Sequence, residues 1–231
     1  MNHSLQTASY DHAYSDTAVQ RNRVLRNTYW LLALSMVPTV LGAWIGIATG
    51  IASSMSSGMG AIVFLGGAFA FMFAIEKTKN SAAGVPVLLA FTFFMGVMLS
   101  RMVGMVLGLS NGASLVMMAF AGTGTIFLGM ATLSSIIKRD LTAMGKWLFI
   151  GAIMLLVAGI ANIFIQSSAL MITMAVLAIG IFSAFILHDL KRVQDGLETN
   201  YISATLGVYL SIYNVFQSLL MLLGIFGGRD E

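Results

Sequence analysis

The sequence predicts an all-α integral membrane protein of seven transmembrane helices, six surrounding a central seventh, and three observations carry that prediction. Of 231 residues, 58% are hydrophobic and 9% charged, against about 25% charged in soluble domains. The apolar residues gather into seven runs of a length suited to about 30 Å of hydrocarbon, parted by short polar turns. When the turns are assigned to alternate sides, ten of the twelve Lys and Arg residues fall on one side. That bias places the amino terminus in the cytoplasm and the carboxyl terminus on the periplasmic or extracellular side.

Residues 1–28 are polar, with His3, Asp11, His12 and Asp16 followed by Arg21, Arg23 and Arg26. A stretch of this kind buries too little apolar surface to offset its ordering entropy, so a flexible cytoplasmic tail is expected there. His3, Asp11 and His12 are read as solvated tail residues in preference to a metal site. The same residues hold no apolar core of the sort a signal peptide needs. The seven-helix domain is expected over residues 29–228, with no internal linker.

The first span runs from Tyr29 to about Gly50, with Pro38 expected to kink it. Gly42, Gly46 and Gly50, four apart, form a small-residue face for close helix packing. The second, from about Gly58 to Ile75, stops at the charged run Glu76 to Asn80. The third, Gly84 to about Leu109, contains Arg101 in its outer third, where the side chain is expected to snorkel to the headgroups. The fourth, Ala113 to Ile137, ends at Lys138, Arg139 and Asp140. The fifth, Trp147 to Ile165, is separated from the sixth, Ala169 to about Leu187, by a tight turn at Gln166, Ser167 and Ser168. An acidic turn follows, in which Asp195 and Glu198, three apart, are expected to form a capping box for the last helix with Asp195 as cap.

The last span, Tyr201 to Phe226, organises the rest. Its 26 residues reach about 39 Å as a helix, enough to cross with tilt. Ser203, Gly207, Ser211, Asn214 and Ser218 share one face, and Tyr209, Tyr213 and Gln217 form a polar row beside it. Hydroxyls and amides facing acyl chains would lack partners, so this helix belongs inside a ring of others.

Several chemistries are not written in the chain. There is no cysteine. A Gly-x-Ser-x-Gly elbow, a His-Glu-x-x-His helix and a phosphate loop are all missing. No catalytic residue, metal site or cofactor is therefore expected, and no nucleic-acid partner. The 17 methionines are spread through the apolar runs and read as core filling. Conduction, coupled transport and interaction with other membrane proteins remain.

Four runs carry a family likeness: Arg23 to Tyr29, Ala161 to Gln166, Glu198 to Thr205, and Tyr209 to Phe216. Together they resemble the bacterial YccA-like branch of the Bax inhibitor-1 family, and the likeness covers nearly all of the chain after the tail. It implies a bacterial inner-membrane protein of seven helices with the last enclosed. It also implies a function: binding and inhibition of the membrane-anchored, ATP-dependent protease FtsH, in complexes that include HflK and HflC. An alternative comes from other members of the family, which resemble pH-sensitive calcium leak channels gated by two aspartates that share a proton.

Asp189 matches the first of those aspartates, but Ser211 stands at the second. Without a second carboxylate there is no mutual repulsion to raise a pKa toward neutrality, so the shared-proton switch is missing and the leak reading is weakened. Asp189, Ser211 and Asn214 remain a candidate proton or cation site. Lys77 or Lys79 is the expected cationic partner of Asp189, Asn214 is expected to bond across helices, and His188 is expected at the interface.

Overall fold

A computed structural model of the chain describes the backbone of residues 3–227 and the side chains of residues 19–227. It contains eight helices and no strand among the described residues: α1 (His3–Thr49), α2 (Ile51–Ser54), α3 (Ser57–Thr78), α4 (Gly84–Leu107), α5 (Gly112–Ile136), α6 (Thr142–Ile165), α7 (Ser168–Gln194) and α8 (Tyr201–Gly227). Seven are long and apolar enough to cross a membrane, all except the single turn α2. Most of the expected tail, residues 1–18, lies outside the described side chains. The packed part of α1 nonetheless starts before Tyr29, because Val24 and Thr28 are buried.

α8 lies inside the bundle, against α1, α3, α4, α5 and α7, and Phe226 is its one exposed residue among those described. The enclosing ring is uneven. α6 packs on α7 and buries none of its own residues, so it stands one layer out. α4 shares the centre with α8, burying Leu88, Phe91, Met95, Leu99, Val103 and Val106. The row Tyr209 and Tyr213 faces this partner. The Tyr209 hydroxyl meets Thr39 Oγ1 of α1 at 2.9 Å and donates to the Thr92 carbonyl of α4 at 3.4 Å, and the Tyr213 hydroxyl donates to the Met95 carbonyl at 3.3 Å. Polar groups that would be orphaned in oil thus tie the two central helices to α1.

The small-residue face of α1 does what its spacing suggests at two of its three positions. Gly42 lies on the Phe93 carbonyl of α4, Gly46 on Ser100, and Gly96 of α4 returns the contact on the Thr39 carbonyl. Gly50 acts differently, since at φ 67° it turns the chain out of α1 and into α2. α1 continues through Pro38. Thr39 Oγ1 donates to the Ser35 carbonyl at 2.8 Å beside the backbone bond that proline cannot make. At the same end of the bundle as α2, Arg101 Nη1 donates to the Met55 carbonyl at 3.3 Å, so the guanidinium has a partner in the turn between α2 and α3.

The turns at the basic end are held by side-chain hydrogen bonds. Asp140 accepts from the Thr142 backbone N–H at 2.8 Å and its hydroxyl at 2.6 Å, opening α6. Those bonds hold its carboxyl below the usual carboxylate range. At the opposite end, Gln166 is left-handed and Ser167 caps α7 by accepting from Leu170 N–H, which closes the tight turn.

The cap of α8 is Asn200, and the expected capping box is corrected. α7 runs seven residues past Leu187 to Gln194, so Asp195 terminates α7, where it pairs with Lys191 at 2.6 Å. Asn200 Oδ1 accepts from Ile202 and Ser203 N–H at 2.9 and 3.1 Å, while its amide donates to the Lys79 carbonyl and Asn80 Oδ1. One side chain therefore starts α8 and fastens the α3–α4 turn to it. Asn200→Ala is expected to cost about 2 kcal/mol, the top of the capping range, and Asp195→Ala under about 0.5 kcal/mol. Thermal unfolding in detergent would compare the two.

Candidate functional site

The sequence-predicted site lies where α7 and α8 meet near the basic end. Ile186, Leu190 and Val193 of α7 turn into the core. That register sets Asp189 along the flank, facing α8. There Asp189 Oδ2 lies against Gly207, where a Cβ would stand only 2.8 Å away. A larger residue at 207 would displace the carboxylate. Asp189 Oδ1 is 3.1 Å from His188 Nδ1, with the two side chains 18% and 8% accessible. The far edge of the imidazole lies over Gly145 of α6, where a Cβ would fall 2.6 Å from Nε2. Two glycines on two neighbouring helices thus make room for one His–Asp pair.

Ser211 and Asn214 follow Gly207 along the same face of α8, and each donates a hydrogen bond back into its own helix. The Ser211 hydroxyl donates to the Gly207 carbonyl at 3.0 Å, and the Asn214 amide to the Leu210 carbonyl at 2.8 Å. The bond expected from Asn214 across helices goes instead within α8. What the strip retains is acceptor capacity, through the Ser211 oxygen and Asn214 Oδ1, and the second amide hydrogen of Asn214. Among the described residues no three His, Asp or Glu side chains gather as a metal site would require.

The lysines are corrected too. Lys79 pairs with Glu76 at 2.6 Å, and Lys77 lies over the Phe73 ring at 5.4 Å. The partner of Asp189 is the preceding histidine, which a sequence reading places only at the interface. Because i and i+1 side chains on a helix point in different directions, adjacency by itself gives no sign of the bond. Gly145→Val is expected to push the imidazole off α6 and destabilise the protein by about 1–3 kcal/mol. Gly159→Val, on the same helix with open space around it, should change stability much less; a detergent melt distinguishes them.

A second polar cluster, with no signal in the sequence, fastens the base of α1. Arg21 Nη1 donates to the Gln194 carbonyl at 3.2 Å, and Gln194 Nε2 to Ser134 Oγ at 2.9 Å, so α1, α7 and α5 are joined in a chain. One turn along, Val24 packs with Val193 and Ala204 in a small buried cluster of its own. We refer to this junction as the latch.

The family model described as "Inhibitor of apoptosis-promoting Bax1" matches residues 21–228. A Neisseria meningitidis protein of undescribed function is 35% identical over 98% of this chain and 100% of its own length. A Vibrio cholerae membrane protein is 34% identical over 93% of this chain and 95% of its own. An Escherichia coli K12 protein named "Modulator of FtsH protease YccA" is 35% identical over 90% of this chain and 92% of its own.

Proposed function

The chain belongs to the Bax inhibitor-1 family, and from that premise we propose that it is an inner-membrane protein that binds the membrane protease FtsH and inhibits its turnover of other membrane proteins. The observation that carries this reading is the likeness to the FtsH modulator of Escherichia coli, 35% identity over nine-tenths of the chain. In this reading the basic end faces the cytoplasm, and HflK and HflC join the complex.

The physical chemistry of the bundle supports a role as a slow substrate. A protease that extracts membrane proteins must first seize a segment and then pull. The polar residues 1–18 offer the segment. The latch and the glycine-mediated α1–α4 contact resist the pull, since α1 from Arg21 to Gly46 cannot leave without breaking buried contacts. A protein gripped but slowly unravelled occupies the protease and so spares competing substrates.

Co-purification from detergent extracts tests the reading. FtsH is expected to be retained on the tagged protein, and deletion of the gene should quicken degradation of other membrane substrates. No retained protease together with unchanged turnover would end the proposal.

A further inference from the structure

We propose that the groove on α1 at the basic end binds one anionic glycerophospholipid, its phosphate held by Arg26 and Asn22 and its acyl chain lying along Trp30. The groove has a volume of about 370 Å³ and is lined by Asn22, Leu25, Arg26, Tyr29 and Trp30. Its two ridges follow from helical spacing: Asn22, Arg26 and Trp30 are four apart, as are Leu25 and Tyr29. Tyr29 meets Phe127 of α5 edge-on, ring centroids 6.2 Å apart, which ties the groove to a second span.

The groove is graded along its length in the way a lipid is. Asn22 and Arg26 are exposed, and among the described residues neither has a hydrogen-bond or ion-pair partner in the protein. Together they offer amide and guanidinium donors on one face, a combination suited to the two free oxygens of a phosphodiester. Trp30 is 73% exposed and one turn deeper, a rise of about 6 Å. A tryptophan so placed marks the boundary between headgroups and hydrocarbon. Trp147, next to Lys146, is 74% exposed on the same side of the bundle and marks that boundary again.

Charge selects the headgroup. At this end Lys79 and Lys191 are balanced by carboxylates, whereas Arg23 and Arg26 have none among the described residues. An unbalanced basic site at this depth attracts the anionic lipids of its leaflet, by about 1 kcal/mol or about fivefold per side chain. A small soluble anion could satisfy Arg26 but would leave Trp30 and Leu25 uncovered. A lipid covers both.

The test uses Trp44→Phe and Trp147→Phe together, which leave Trp30 as the one tryptophan of three. The full-length protein is placed in phosphatidylcholine vesicles with a minor fraction of chain-brominated lipid, and Trp30 fluorescence is followed. Brominated phosphatidylglycerol is expected to quench as though about fivefold enriched over brominated phosphatidylcholine. Arg26→Gln should remove that preference, while Arg139→Gln should leave it intact. Equal quenching by the two lipids, or a preference that survives Arg26→Gln, would overturn the proposal. Loss of the preference on adding millimolar glycerol phosphate would overturn it in favour of a free anion. A detergent melt of Arg26→Gln, expected to match the parent because the side chain is exposed, confirms that folding is unchanged.

Discussion

Gly96→Leu is expected to destroy the folded bundle, the largest effect of any single change proposed for this protein. The helices α1 and α4 meet backbone to backbone: a Cβ at Gly96 would sit on the Thr39 carbonyl, and a Cβ at Gly42 on the Phe93 carbonyl. Neither neighbour is a side-chain end that can rotate away. A leucine must therefore push the two helices apart along the crossing. Separation breaks more than one contact, since Thr39 also holds Tyr209, and Tyr209 packs on Phe91 at a centroid distance of 6.1 Å. Overpacking a core costs about 1–3 kcal/mol when side chains can yield, so the upper end is a minimum here. A loss of about 3 kcal/mol changes a folding equilibrium more than a hundredfold. Fluorescence-detected size exclusion and thermal melting should show an aggregated protein. Gly124→Leu, on α5 where nothing lies within 4 Å, should retain a single peak. If Gly96→Leu behaves like Gly124→Leu, the close crossing is not what holds the centre together.

Much of this architecture is legible in hydropathy, for a definite reason. Water and oil sort residues by transfer free energy, so the seven spans and the enclosed face of α8 follow from composition and spacing. Where a helix ends is another matter. Hydropathy reports the solvent around a backbone and not its hydrogen bonding, so it stops α7 near Leu187, at the first charges. The helix instead continues through Lys191 and Arg192 into the polar layer, and that overrun takes Asp195 away from α8 and leaves the capping to Asn200. The turn α2 is too short to have a periodicity. Glycine is ambiguous in a different way: Gly42 and Gly46 show their purpose through spacing, while the meaning of Gly145 and Gly207 depends on a histidine and an aspartate of another helix. The Asp189–His188 pair and the latch are long-range or adjacent-residue contacts that leave no periodic mark.

Loosening the latch is the second large effect, and its readout is lifetime. Val24 is 8% exposed, and its partners Val193 and Ala204 are 0% and 4% exposed. Val24→Asn puts an amide among them with no spare partner in the apolar cluster, at a cost of about 1–3 kcal/mol. The cluster reaches the central helix α8 only in its first turn, through Ala204, and lies apart from the main core. The variant should therefore insert and remain monodisperse while the base of α1 opens more often. When opening and reclosing are fast compared with capture, degradation follows the open population, and about 1.4 kcal/mol corresponds to tenfold. Pulse-chase in cells is expected to show a half-life shorter by about fivefold or more, restored when FtsH is depleted. Val19→Asn, at a position 67% exposed, should keep the parental half-life. An unchanged half-life for Val24→Asn would mean that extraction meets its barrier deeper in the bundle, at the α1–α4 crossing. Shortening that persists without FtsH would assign the attack to a different protease.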